Sequence, residues 1–289
     1  MKVCGFTIIR NAVKYDYPVV ESIRSILPVC DEFLVLAGKS GDGTLELIRN
    51  IDSPKIRIEE SVWDDSLKEG GKVLAVETNK AFDLIPGDFD WAFYLQADEV
   101  VHEKYHEAIR EAMAKWLNNK EVEGLLFKYT HFYGTYRYIG NSRRWYRNEI
   151  RIVRNDKSIR SYRDAQGFRK SGEKLRVKPI EAAVYHYGWV KNPKTMQTKL
   201  LDFHRLWHDE NWIKQNVKQE DLFDFTDVDS LAHFTGTHPA VMADRIRNTD
   251  WKIDLDISKK KHSFKDAALN YFEKVTGHRL FEYKNYRIV

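Results

Sequence analysis

The sequence predicts an α/β fold. A mainly parallel sheet flanked by helices is expected over residues 1–192, and a mostly helical extension over 193–289, with a soft boundary between them. Three observations carry this. Short apolar runs alternate with segments of helical period through the first hundred residues. Polar segments fall at the carboxyl ends of those runs. After Asn119 the pattern changes to strands rich in aromatic and basic residues, and from Pro193 it turns helical.

In chain order, VCGFTII (Val3–Ile9) is a first buried strand. Asp16 offers an N-cap and Pro18 suits a first helical turn, with Val20, Ile23 and Leu27 at helical spacing. EFLVLAG (Glu32–Gly38) is a second strand, and GDGTLELIRN opens a short helix that Asp42 can cap. KIRIEES (Lys55–Ser61) alternates like a strand. Leu74, Thr78, Ala81, Phe82 and Ile85 mark a third helix, after Gly70-Gly71. WAFYL (Trp91–Leu95) is a fourth strand, and Tyr105 to Trp116 an amphipathic helix. EGLLFKYTHFYG, NEIRIVRN and EAAVYHYGW then read as strands. Met196, Leu200, Phe203 and Trp207 form a helical stripe, and Ser263 with Asp266 resembles a capping box before a helix that ends at Gly277. The tail HRLFEYKNYRIV is expected as an edge strand.

Near-continuous apolar strands alternating with helices imply a parallel sheet covered on both faces. Ligands of such sheets bind beyond the carboxyl ends of the strands. Arg10–Ala12, Gly38–Thr44 and Gln96–Glu99 fall at those ends, so they are expected to converge.

Hydrophobic residues make up 43% of the chain and aromatics 13%, enough for a folded core. No apolar run reaches the ~18 residues of a membrane span. The start, MKVCGFTIIRNA, reads as a strand rather than a signal peptide. Cys4 and Cys30 form no CxxC pair and are expected reduced and buried, with the cytoplasm as compartment. The net charge is +4, yet residues 137–178 hold 14 Lys/Arg against 4 Asp/Glu. Such a block suits a phosphate-bearing partner, and it keeps open peripheral association with the inner face of a membrane.

GKSGDGT is not a P-loop, because Phe33 stands where the first glycine would have to be. No GxGxxG follows the first strand. His204 and His208 flank the apolar stripe rather than forming an HExxH metal motif. His186 closes a strand beside Gly188. Asp98 and Glu99 would point to opposite sides of an extended segment, so only one of them can serve a site there. One carboxylate, one imidazole and substrate phosphates suffice for Mg²⁺ or Mn²⁺.

Together these residues resemble the family 2 glycosyltransferases, which have the GT-A fold and use nucleotide-sugars. The resemblance covers about the first 190 residues. It rests on FTIIRNA, on SGDGTLELI at Ser40–Ile48, on TNKAFDLIPGDFDWAFYLQADEVV at Thr78–Val101, and on YHYGW at Tyr185–Trp189. The chain departs from the family in two places. The acidic pair after the second strand falls on Ala37 and Gly38, and the first Asp of the Asp-x-Asp pair falls on Gln96.

The resemblance implies a GT-A-like, Rossmann-type catalytic domain over residues 1–192. It implies inverting transfer from a nucleoside-diphosphate sugar to a hydroxyl of a saccharide or glycolipid acceptor, as in cell-surface polysaccharide or lipopolysaccharide synthesis. The donor contacts it implies are Thr7, Arg10, Asn11, Lys39, Asp42, Asn79, Gln96, Ala97, Asp98 and Arg144. A divalent cation, Mg²⁺ or Mn²⁺, would be held by Asp98 and His186, more weakly than by a full Asp-x-Asp pair. Asp164 is the candidate general base, with Glu149 and Asp156 as alternatives, and Arg143, Arg144 and Arg147 are candidates to face the diphosphate. A non-catalytic nucleotide- or sugar-binding protein with a degenerate Asp-x-Asp site is the alternative. No nucleic-acid partner is expected, since no recognised module accompanies the basic block. The sequence leaves the oligomeric state open.

Overall fold

The computed structural model describes residues 1–67, 69–205, 210–217, 220–261 and 264–289. Its first half follows the predicted alternation: β1 (Val3–Ile9), α1 (Val19–Ile26), β2 (Glu32–Gly38), α2 (Thr44–Arg49), β3 (Ile56–Ser61), α3 (Lys72–Asp83), β4 (Trp91–Tyr94), β5 (Glu99–Val101) and α4 (His106–Trp116). The second half adds β6 (Gly124–Gly140), β7 (Asn148–Arg154), β8 (Ile159–Tyr162), β9 (Gly167–Lys170), β10 (Glu173–Lys174) and β11 (Arg176–Val190). After these come α5 (Pro193–Arg205), α6 (Glu210–Asn216), β12 (Leu231–His233), α7 (Ala243–Arg247), α8 (Phe264–Thr276) and β13 (Arg287–Ile288).

The main sheet runs β13-β11-β6-β7-β4-β1-β2-β3, with β12 added to β6 and β5 added to β11. β3, β2, β1 and β4 are parallel, while β7 runs antiparallel to both β4 and β6. This mostly parallel sheet, with helices on its faces, is consistent with a GT-A Rossmann-like fold. Alternation along each strand divides the core. Ile9, Phe33, Val35 and Phe93 pack with Ile23 and Ile26 of α1 and Ile109 and Met113 of α4. Phe6, Ile8, Leu34 and Tyr94 pack on the other face with Ala81 and Phe82 of α3.

Two features follow from long-range pairing rather than local pattern. β5 pairs antiparallel with β11, setting Glu99 opposite His186. The extension contributes strands of its own: β12 pairs with β6, and β13 adds the expected edge strand to β11. Some local expectations change as well. Pro18 stands at the start of α1, but Asp16 does not cap it and pairs instead with Arg245 of α7. Gly277, at φ +72°, ends α8 as expected. Ser263, Trp207 and His208 lie outside the described residues. Cys4 and Cys30 are buried free thiols, and no helix among the described residues is long and apolar enough to cross a membrane.

Candidate functional site

Beyond the carboxyl ends of β1 and β4 lies a cavity of about 400 Å³. The chain lays down β2 and β3 on one side of β1 and β4 on the other, so the cavity sits where sheet growth reverses. Arg10 reaches it from β1, Gln96, Ala97 and Asp98 from β4, Asp164 from the turn between β8 and β9, His186 and Gly188 from β11, and Lys199 from α5.

The two adjacent carboxylates do take opposite sides. Glu99 is fully buried, gripped by Arg151 through Nε and Nη2 at 2.7 Å each. It also accepts from the Gln96 backbone N–H at 3.1 Å and from the Tyr129 hydroxyl. Asp98 faces the cavity. Its carbonyl accepts from Tyr187 N–H at 2.8 Å, because β5 continues its pairing with β11 up to this point.

That contact brings Asp98 to His186, with Oδ2 and Nε2 3.7 Å apart. The register of β11 against β6 shifts between His186 and Trp189, a bulge that re-aims the strand at the site. Gly188 sits within it. A Cβ there would lie 2.6 Å from both Asp98 Oδ2 and His186 Nε2. Gly188→Ala is therefore expected to push the two groups apart and to lower stability by about 1–3 kcal/mol, the cost of overpacking a close contact, as measured by urea unfolding.

On its other side Asp98 Oδ2 meets Lys199 Nζ at 3.6 Å. The ammonium is anchored by donating to the Gly188 carbonyl at 3.0 Å. A second lysine, Lys191, is wholly buried nearby and donates to the Asp16 carbonyl at 2.9 Å. Both lysines stand near the Tyr17 ring, 4.6 and 4.9 Å from its centroid. Burial would raise the Asp98 carboxyl, but the His186 ring and the two ammoniums outweigh it and hold the group well below the usual range. Burial in turn lowers both lysines, and Lys191 is lowered further by Lys199. The site thus holds a fixed carboxylate among partly balanced positive groups.

The three candidate bases separate by position. Asp164 lines the cavity, held between Arg163 and Ala165, which both take left-handed φ (57° and 61°). Such backbone outliers cluster at functional turns. Gln96 Nε2 reaches the Ala165 carbonyl at 3.4 Å, so this side chain braces the Asp164 turn. Glu149 is 1% exposed, and burial pushes its carboxyl up to about 7, a range suited to a base, but it is sealed in the core away from the cavity. Asp156 bonds to Ser158 and pairs with Lys170 at 2.9 Å; those contacts overcome burial and hold it at about 2.

Arg10, Gln96, Ala97, Asp98, Asp164 and His186 therefore share one cavity wall, and the other six named residues do not. Thr7 is buried within β1. The Asn11 backbone N–H bonds to Ser40 at 2.9 Å. Lys39 is exposed at the end of β2. Asp42 accepts from Thr44 and from Lys14 N–H, the capping role open to it from the sequence. Asn79 accepts from Ser161 N–H at 2.7 Å, tying α3 to β8. Arg144 is exposed beside Asp229.

The basic block does not supply the positive charge at this cavity. Arg143 pairs with Glu273, and Arg147 with Glu273 and Glu282, all from the C-terminal region. Lys199 is the residue that sequence reasoning missed. Its signal was a lysine on the same helical face as Met196, Leu200 and Phe203, all of which line the cavity. Gly38 makes room for Trp63, whose Nε1 would lie 2.4 Å from a Cβ there. Arg10 stacks on Trp63, 4.7 Å from ring centroid to guanidinium, and pairs with Asp65 at 2.7 Å.

Among the described residues, no three of His, Cys, Asp and Glu converge as a metal cluster. The chain offers two donors, Asp98 and His186, on the wall of a cavity large enough for phosphate oxygens. That donor set fits a cation of the magnesium or manganese type whose remaining ligands come from substrate and water.

No protein-family model and no curated protein matches the chain. Among solved structures, S. aureus TarS is similar at 14% identity over 76% of this chain and 41% of that one, with a TM-score of 0.39. TarS 1-349 in complex with UDP-GlcNAc is similar at 14% identity, covering 76% of this chain and 77% of that one, with a TM-score of 0.40. Mannosyl-3-phosphoglycerate synthase from Rubrobacter xylanophilus is similar at 16% identity over 46% and 41% of the two chains, with a TM-score of 0.30. The chain thus spans less than half the length of the first of these.

Proposed function

We propose that the chain is a glycosyltransferase moving a sugar from a nucleoside-diphosphate sugar to a hydroxyl of a saccharide or glycolipid acceptor, with inversion at the anomeric carbon. The observation that carries this is the convergence of Asp98, His186, Lys199 and Asp164 on one cavity at the switch point of the sheet. Asp164 accepts the proton of the acceptor hydroxyl. The freed oxygen forms its bond to the anomeric carbon as the bond from that carbon to the diphosphate breaks on the opposite face. The departing diphosphate gathers negative charge, which Lys199 and Arg10 face from fixed positions. Asp98 holds Lys199 and His186 in place around it. A Mg²⁺ or Mn²⁺ ion on Asp98 and His186 would add charge neutralisation of the same diphosphate.

A panel of UDP-, GDP-, dTDP- and CMP-sugars, with and without Mn²⁺, tests this by thermal shift. The expected result is stabilisation by one nucleotide class, enhanced by the metal. Asp164→Asn should keep that stabilisation and lose about 10²–10⁴-fold in turnover or donor hydrolysis. No shift with any donor sinks the reading. Stabilisation without turnover in the wild type, indifferent to Asp98→Ala, would establish the non-catalytic binding protein instead.

A further inference from the structure

Helix α8 is mounted the wrong way round for a packing helix. At about 100° per residue its sequence divides into two faces. Phe264, Ala268, Tyr271 and Val275 form an apolar stripe flanked by Ala267 and Phe272, and Asp266, Asn270 and Glu273 form a polar face. A helix that docks for stability buries its stripe. Here none of the residues is buried, and the half-buried ones are Asp266, Leu269, Asn270 and Glu273. The polar face therefore meets the body of the protein and the apolar face meets solvent. Phe264 is 93% exposed, Tyr271 72% and Val275 68%.

Ion pairs hold this orientation. Glu273 Oε2 accepts from Arg143 at 2.6 Å and its Oε1 from Arg147 at 3.1 Å, both on the loop between β6 and β7. Arg143 also donates to the Leu280 carbonyl just past the helix. A contiguous apolar stripe held outward marks a surface that meets a partner.

Charge says which partner. Lys265 and Lys274 stand at the two borders of the stripe, both exposed, and no carboxylate lies on the outward face of α8. Beside the helix, a second cavity of about 510 Å³ is lined by Arg143, Arg147, Arg279, Lys260 and Lys274, with Glu273 the sole carboxylate lining it among the described residues. Glu282 also pairs with Arg147. Three arginines thus share two carboxylates, and the two lysines add to the excess. An apolar stripe with a cationic rim fits a bilayer carrying anionic lipids. The acyl boundary takes the stripe, while the lysine stems lie along it and their ammoniums reach the headgroups. A second copy fits badly, because a two-fold interface sets the same patch against itself and brings lysines against lysines.

We propose that α8 lies in the boundary between headgroups and acyl chains of an anionic bilayer, stripe inward, with the basic cavity beside it facing headgroup phosphates. This does not rest on the transferase reading. Where both hold, they point to a glycolipid rather than a soluble saccharide as acceptor.

Co-sedimentation of the full chain with lipid vesicles tests it. Binding to phosphatidylcholine vesicles that contain phosphatidylglycerol is expected, at least about 10-fold tighter than to phosphatidylcholine alone and weakened by salt. Phe264→Ser with Val275→Ser should lower that binding about 10–100-fold. Lys265→Glu with Lys274→Glu should lower it about 10-fold or more. All four side chains are exposed, so thermal unfolding of both variants should match wild type. The readout needs no donor, so it stands or falls apart from the donor screen. Three results would each overturn the inference and leave the transferase reading standing: no binding of wild type to the anionic vesicles, equal binding to phosphatidylcholine alone, or full binding retained by the Phe264→Ser, Val275→Ser variant. A dimer in analytical ultracentrifugation that the same variant returns to monomer, with no vesicle binding, overturns it in favour of a second copy.

Discussion

Asp98→Asn is expected to leave the chain folded and to lower transfer by about 10²–10³-fold in kcat, the scale of removing one preorganised electrostatic group from an active site. The substitution keeps the shape and removes the charge. Lys199 at 3.6 Å and His186 at 3.7 Å then lose their shared counter-charge. Buried ammoniums without a carboxylate repel one another, and Lys199 is free to leave its place over the Gly188 carbonyl. The loss should appear in kcat more than in donor affinity, since Lys199 and Arg10 face charge that grows as the diphosphate leaves. Single-turnover kinetics beside equilibrium binding of the nucleoside diphosphate separate the two. A variant with wild-type kcat would remove Asp98 from the chemistry.

Arg151→Met should cost about 3–5 kcal/mol of stability, because it strands the Glu99 carboxylate in the core. Both side chains are fully buried, and Arg151 makes four bonds: two to Glu99, and one each to the carbonyls of Ile150 and Gln166 at 2.9 Å. Glu99 in turn holds the Gln96 N–H at the start of the turn that delivers Asp98. Gln166 belongs to the turn that delivers Asp164. One guanidinium therefore ties together the two turns that carry the candidate carboxylates, so activity should fall along with stability. Replacing both partners, as in Glu99→Leu with Arg151→Met, should restore much of the stability but not the activity. Urea unfolding measures the first and donor turnover the second. A single variant as stable as wild type would mean that the pair contributes little.

How far the sequence could be read follows from the range of the interactions. β1 and β2 coincide with the apolar runs Val3–Ile9 and Glu32–Gly38, because each strand's burial is written in its own residues. That Asp98 and Glu99 take opposite sides was expected from alternation along an extended segment, but the structure achieves it with a turn: β4 ends at Tyr94, Glu99 N–H bonds back to the Gln96 carbonyl at 3.0 Å, and Glu99 opens β5. The pairing of Asp98 with His186 was not derivable from either segment, since it depends on β5 meeting β11 from some eighty positions away. Lys199 was hidden for a related reason. It stands in the extension, on a helix whose apolar stripe looked like ordinary packing, and only the fold turns that stripe toward the cavity. The basic block misled because charge counted along a chain ignores partners. Its Arg143 and Arg147 are spent on Glu273 and Glu282, more than a hundred residues on. Gln96, which stands where the resemblance would place the first Asp of an Asp-x-Asp pair, bonds to the turn that presents Asp164.

The claim at the centre of this account is that a nucleoside diphosphate occupies the cavity beyond β1 and β4, with its phosphates at Asp98, His186 and Lys199. A crystal structure of the chain soaked with Mn²⁺ and the best nucleoside diphosphate from the donor screen tests it directly. The expected result is the diphosphate in that cavity, Lys199 on a phosphate oxygen, and the metal on Asp98 and His186. A nucleotide bound elsewhere on the chain, with this cavity filled by water alone, would contradict it.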